Sequence, residues 1–238
     1  MKAIDIYGDL AKRGAGITTV AGRYKCQELG QREIVSNVID KLDLKASDTL
    51  LEIGCNSGQL LIPLSFHVEK VIGVDHPDLI KLLMERAKLD NFVPVPGDFL
   101  EVDLDQLPQV DKILIYSVIH CLRSEGEVIE FMNRALGLLN AGGVLLIGDL
   151  VNVDRKKRFQ NSEAGRLFSK EWDENKSQEG DELDQVSRHE TSTVWCDDLI
   201  LRLLGAARQQ GFHSYLVPQP ISLPFGHTRE DLVIVKPY

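Results

Sequence analysis

The stretch LLEIGCNSGQL at residues 50–60 constrains this chain more than any other. Leu50, Leu51 and Ile53 suit a buried parallel strand, which reads as an unbroken apolar run because helices cover both its faces. Glu52 places an acid near the strand's end. Gly54 permits a sharp turn, and Gly58 lets backbone come close to a ligand, since neither carries a Cβ. Ser57 can open a helix whose free N–H groups face the same pocket. A glycine-rich strand-to-helix turn is the element many nucleotide-binding α/β folds share, so by itself it fixes a class and no more.

The elements that follow are spaced one strand–helix unit apart. VIGVDH at 71–76 is a second apolar strand ending in Asp75, whose two oxygens can accept both hydroxyls of a bound ribose. In VPVPGDF at 93–99, Asp98 can accept a proton from an adenine amino group and Phe99 can lie against the ring. DKILIYSVIH at 111–120 is a strand ending in a polar mouth, and GGVLLIGD at 142–149 is a turn and a fifth strand. Helical spacing of apolar residues marks 31–42, 58–68, 77–90, 124–139 and 196–210. Pro63 is tolerable in the second of these only near its first turn. The alternation predicts a parallel sheet with helices on both faces.

As an ordered set these segments resemble the class I S-adenosylmethionine-dependent methyltransferases. LLEIGCNSG is similar to that family's first motif, VIGVDH to its second and PGDF to its adenine-contacting motif. IYSVIHCL resembles its fourth-strand motif and LNAGGVLLIGD its fifth strand, over roughly residues 30–150. The resemblance implies a Rossmann-like α/β fold: a seven-stranded, mostly parallel sheet with its last strand antiparallel. It implies S-adenosyl-L-methionine as cofactor and no metal. It assigns cofactor contacts to Glu52, Gly54, Cys55, Asn56, Gly58, Asp75, His76, Asp98, Phe99, Tyr116 and Ser117. One departure stands out: Asn56 replaces the usual middle glycine of the first motif, and Asn tolerates left-handed backbone better than most residues. A nicotinamide-binding fold is the competing reading, but G-x-G-x-x-G fails here at its second glycine, where backbone must approach a pyrophosphate.

Residues 1–42 read as an N-terminal cap segment and helix, and 43–238 as the core. Glycines at 8, 14, 16, 22 and 30 suit an irregular lead-in; in the resembling family such segments close over the cofactor. Residues 151–194 break the strand–helix rhythm with many charges and few apolar residues, and are expected to form a substrate-facing lid, with 173–186 its least ordered part.

Methyl transfer from a sulfonium needs alignment and exclusion of water, and for an oxygen acceptor a base. His120 after the fourth strand, His189 in the lid and His227 before the last strand are the candidates, because an imidazole titrates near neutrality. Asp149 can orient a hydroxyl, and the run Arg155–Arg158 with Arg166 and Lys170 can hold an anion. Place 116–119 lacks the Asn/Asp-Pro-Pro-aromatic motif of base amino methyltransferases and the acid of metal-dependent catechol-type members. A small-molecule acceptor methylated on oxygen is therefore expected, such as a sugar or nucleotide-linked sugar. The alternatives are a non-catalytic cofactor-binding scaffold or activator subunit, and an NAD-dependent oxidoreductase.

Composition sets the remaining bounds. The net charge of −9 argues against nucleic acid as partner. Four cysteines without metal-ligand spacing, no secretory signal and no membrane-length apolar run fit a cytoplasmic protein with no membrane contact. The oligomeric state is left open, a homodimer included.

Overall fold

The computed structural model describes residues 2–14, 16–20, 28–176 and 192–238. Seven strands form one sheet in the order β3-β2-β1-β4-β5-β7-β6. They are β1 Thr49–Ile53, β2 Lys70–Asp75, β3 Phe92–Pro96, β4 Val110–Tyr116, β5 Leu139–Val151, β6 His213–Pro218 and β7 Arg229–Val235. The first five are parallel, and β7 runs antiparallel to both β5 and β6. This is the expected architecture. β5 is longer than its apolar run, and a register irregularity between Ile147 and Leu150 bends its far end.

Side chains alternate across a strand, and the two core layers follow that period. Leu51, Ile53, Ile113, Ile115, Leu145 and Ile147 pack on one face against α6 (Glu125–Gly137) and α9 (Asp197–Gln209). Leu50, Val71, Leu114 and Leu146 pack on the other against α3 (Glu28–Leu42), α4 (Leu61–Leu64) and α5 (Pro77–Arg86). Pro63 falls in the first turn of α4, where its missing N–H costs nothing. Pro94 and Pro96 share one side of β3, which an edge strand tolerates. Lys112 is buried in the second layer, where its ammonium donates to the Leu42 carbonyl at the end of α3 (2.7 Å).

The lead-in is more regular than its glycines suggest. α1 (Ala3–Lys12) and the short α2 (Ile17–Val20) precede α3. Gly8 is what lets α1 dock, because a Cβ there would meet the His76 ring at 2.5 Å. Residues 15 and 21–27 lie outside the described residues.

Residues 151–176 are also more regular than expected. Asn152 accepts from the N–H groups of Asp154 (3.0 Å) and Arg155 (3.1 Å) and so caps α7 (Val153–Gln160). α8 (Glu163–Lys176) follows and folds back on it. The charge-rich sequence hid both helices because their rings, Phe159, Phe168 and Trp172, pack on one another and on His227 and Phe225 rather than onto the sheet. The segment singled out as least ordered falls largely outside the described residues, which resume at 192.

At the α7–α8 crossing the Gly165 backbone packs directly on the Phe159 carbonyl, leaving no room for a Cβ. Gly165→Ala should push the two helices apart at a local cost of about 1–3 kcal/mol. Hydrogen exchange should speed up in 153–176 and stay unchanged in β1–β5; equal protection in the lid would contradict this.

Candidate active site

Strand order reverses between β1 and β4, so the loops leaving them splay apart and open a crevice at the carboxyl edge. The cavity there measures about 870 Å3. It is walled by the ends of β1, β2 and β4, by α1, and by residues of α8 and the turn before β7.

The β1–α4 turn is built by three residues in left-handed backbone: Gly54 (φ +80°), Asn56 (φ 51°) and Gly58 (φ +85°). A side chain at Gly54 would strike Val118, and one at Gly58 would strike Leu83 and Ile62. Gly58 therefore serves packing beneath the loop and is not on the cavity wall. Asn56 holds its strained conformation through three bonds. Its N–H donates to Asp75 Oδ2 (2.7 Å), its Oδ1 accepts from the Ser57 N–H (2.7 Å), and its Nδ2 donates to the Val20 carbonyl (2.9 Å). The last bond ties the N-terminal cap to the loop. Arg86 supports the loop through Ser57, donating to its carbonyl and to its Oγ (3.2 Å).

Asp75 is buried, and each of its oxygens already accepts one backbone N–H, from Asn56 and from His76 (2.6 Å). One lone pair per oxygen remains for a ligand hydroxyl. Burial, partly offset by the two amides, raises its carboxyl from 3.8 to about 6. Glu52 is buried too, its carboxyl pushed well above the ordinary range by burial first and by Asp75 second. Its Oε2 has no hydrogen-bond partner among the described residues. Two buried acids needing donors fit a ligand that brings ribose hydroxyls and an amino group, as S-adenosylmethionine does. Glu52, Gly54, Cys55, Asn56 and Asp75 would hold its polar portions, with Phe99 beside the adenine.

Asp98 is engaged from the cap: its Oδ2 binds the Lys2 ammonium (2.6 Å), which also binds Glu101 (2.6 Å). Asp98 Oδ1 accepts from the Leu100 N–H (3.0 Å). An adenine amino group would share or displace Lys2. Phe99 is buried edge-on to Phe131, with centroids 4.9 Å apart.

Across the cavity Tyr116, Ser117 and His120 stand at the end of β4, His120 on a one-turn 3-10 helix. Ser117 (φ 60°) and Asp149 (φ 59°), at neighbouring strand ends, are both left-handed, and Ser117 Oγ donates to Asp149 Oδ2 (2.6 Å). The Asp149 N–H donates to Asp231 (2.9 Å), which Lys41 (2.5 Å) and Gln219 (2.8 Å) also bind.

The structure thus gathers nine of the eleven cofactor candidates and His120 around one space. Gly58 and His76 stand outside it. His76 caps α5, accepting from the Asp78 N–H (3.2 Å). His227 stacks on Phe159 at 4.4 Å, behind the cavity wall. His189 lies outside the described residues. The basic run divides: Arg155 approaches Glu230 (3.6 Å), Arg158 pairs with Asp197 (2.5 Å), and Lys156 faces the cavity. Lys2, Tyr7, Arg86, Trp172, Phe225 and Arg229 line the site without a motif to announce them. No group of three His, Cys, Asp or Glu able to hold a metal occurs among the described residues.

Residues 51–145 match the family model described as a methyltransferase domain. A probable ribosomal RNA small subunit methyltransferase A of Methanosarcina acetivorans is 34% identical over 86 residues, covering 35% of this chain and 32% of that protein. The chain spans about a third of the length of the curated relatives it matches first. Among solved structures, a Haloferax volcanii methyltransferase in complex with the Trm112 activator matches with TM-score 0.63 and 13% identity over 98% of each chain. The N-methyltransferase NodS of Bradyrhizobium japonicum WM9, bound to S-adenosyl-L-homocysteine, matches with TM-score 0.57 and 15% identity over 88% of each chain.

The expected partners need correction. Net charge argued against nucleic acid and left a small-molecule acceptor or a second copy as the partners. The sequence relatives carry ribosomal RNA methyltransferase names, and a fold neighbour is complexed with an activator protein. Net charge is a sum over the whole surface, whereas an acceptor meets one cavity, whose lining mixes Arg32, Arg123, Lys156 and Arg229 with acids, Glu127 paired to Arg123 among them. Among the described residues no helix is long and apolar enough to cross a membrane.

Two predictions follow from the loop. Asn56→Gly keeps the left-handed turn but removes the bond to Val20, so S-adenosylhomocysteine should bind up to tenfold more weakly. Exchange of amides 16–20 should lose the protection the ligand confers; protection equal to wild type would refute the tie. Asp75 must be ionised to accept two hydroxyls, so titration calorimetry should show affinity falling as pH drops through about 6. Its effect on the apo fold has the opposite sign. A raised carboxyl pKa contributes stability below 3.8 that is lost as pH rises through about 6. Affinity flat between pH 5 and 8 would contradict this assignment.

The motif-bearing core from β1 to β5 thus carries a match to a methyltransferase domain over residues 51–145, and the sheet built around it has the Rossmann-like fold of solved S-adenosylmethionine-dependent methyltransferases.

Proposed function

We propose that this chain transfers a methyl group from S-adenosylmethionine to the oxygen of an acceptor small enough to enter the cavity. The observation that carries the reading is one continuous space from Glu52 and Asp75 to Ser117 and His120. At about 870 Å3 it is near the top of the roughly 300–1,000 Å3 usual for ligand pockets, so a second molecule fits beside the cofactor. When bound, the cofactor supplies an electrophilic methyl on a sulfonium.

The chain's own residues bind, orient and exclude water. Glu52 and Asp75 take the donors of the cofactor's amino acid and ribose ends, and the Asn56 tie draws α2 over the loop. His120 is the candidate base for the acceptor proton, and Ser117, held by Asp149, positions the acceptor. The thiols at Cys55 and Cys196 suit a reducing cytoplasm.

A second reading is favoured by the ribosomal RNA methyltransferase relatives: the acceptor is a base drawn out of a strand into the same space.

S-adenosylhomocysteine should bind in calorimetry, and Asp75→Ala should weaken it on the order of 100-fold, because hydrogen bonds to a charged acceptor are lost. Methyl-labelled cofactor incubated with cell extract should leave label in the small-molecule fraction, and label in RNA would select the second reading. His120→Ala should lower labelling at least tenfold with S-adenosylhomocysteine affinity unchanged. Folded protein that binds neither cofactor form would end the proposal.

A further inference from the structure

The acceptor end of the cavity has a composition the motifs do not explain. Trp172 from α8 and Phe225 from the turn before β7 form a corner of its wall, with ring centroids 6.0 Å apart and planes tilted by 57°, so a planar ligand lying on one ring meets the other edge-on. Behind them Phe159, Phe168 and His227 pack as a second rank, Phe168 near-parallel to Trp172 at 6.3 Å. The wall rings are therefore buttressed in fixed orientations. The Arg229 guanidinium lies over Phe225 at 4.9 Å, and its Nη1 donates to the Asp149 carbonyl (3.3 Å). Lys156 lines the same cavity, and its ammonium makes no ion pair or hydrogen bond among the described residues.

Such rings offer apolar area to a planar ligand, which aromatic side chains hold stacked or edge-on beyond the gain from burial alone. Two cations at the edge of that surface favour an anion, and a planar guanidinium presents paired donors to carboxylate or phosphate. Asp149 Oδ1, 3.8 Å from Arg229 Nε, offsets part of that charge, which leaves Lys156 as the second cation an anionic ligand needs.

We propose that the acceptor is a planar ring carrying an anionic group, with the ring on Trp172 and Phe225 and the anion between Arg229 and Lys156. The inference rests on the methyltransferase reading and adds the acceptor's chemical class. Free aromatic acids or phosphates and the phosphate-linked bases of a short RNA strand share this chemistry.

Phenyl phosphate is the probe, added to protein already saturated with S-adenosylhomocysteine. Its halves, phenol and inorganic phosphate, are the comparisons. Trp195, one of only two tryptophans, is buried in the core, so a change in emission reports Trp172. Phenyl phosphate should bind at least tenfold more tightly than either half, and Lys156→Met and Arg229→Leu should each remove at least fivefold of that. Lys156 is exposed, so its variant will fold even if Arg229→Leu, which loses contact with Asp149, does not.

A tetraribonucleotide that binds wild type and is weakened by Lys156→Met would support the proposal with a strand as the source. Equal affinity for phenyl phosphate and its halves would overturn it, as would variants that bind like wild type. Calorimetry with S-adenosylhomocysteine on the same sample separates the failures: no binding there ends the methyltransferase reading, and normal binding without ring-anion preference ends only this one.

Discussion

Asp75 is the group on which the site's geometry depends. It sits at the end of a buried strand, and its two oxygens take amide protons from two different loops, at Asn56 and His76. One carboxylate thereby fixes the β1–α4 turn against the β2–α5 turn, the two walls of the cofactor end. The arrangement is costly without ligand, because burial keeps this carboxyl partly protonated near pH 6 and Asp75 in turn helps to raise that of Glu52. That cost is what a ligand rich in donors relieves, so the same desolvation that burdens the empty site sharpens its affinity.

The N-terminal segment bears on this frame at several points among the described residues. α1 rests on His76 through Gly8, Lys2 bridges Asp98 and Glu101, and Asn56 holds Val20. These bonds join α1 and α2 to groups proposed to meet the cofactor. Where the family pattern has a glycine, Asn56 keeps the left-handed turn and adds a side-chain bond, a gain that glycine cannot offer.

On the acceptor side, the far ends of β4 and β5 hold Ser117 and Asp149 in a backbone conformation that non-glycine residues avoid. Strain of this kind persists only where the surroundings impose it. Here the Asp231 hub imposes it, taking the Asp149 amide, Lys41 and Gln219 at once. Burial raises the Asp231 carboxyl and Lys41 opposes that shift, so the hub also links α3 to the sheet's antiparallel edge.

The strand ends were legible in the chain because each is local: an apolar run, an acid, a glycine, at one strand–helix interval. Glu52, Asp75, Asp98 and Ser117 could be placed on one crevice from order alone, since parallel strands deliver their carboxyl ends to the same edge. His120 came with them. The roles of Gly58 and His76 did not, because whether a residue faces a cavity or the packing beneath it depends on neighbours distant in sequence, Leu83 and Gly8 here. Nor were α7 and α8 readable, since their charged surfaces mask the few rings that matter. Sequence alone determined the sheet and the methyl donor's end of the site, whose chemistry lies within single motifs. Only the tertiary structure shows the far wall of the cavity, because Lys156 from α7, Trp172 from α8, Phe225 from the turn before β7 and Arg229 from β7 meet by packing alone.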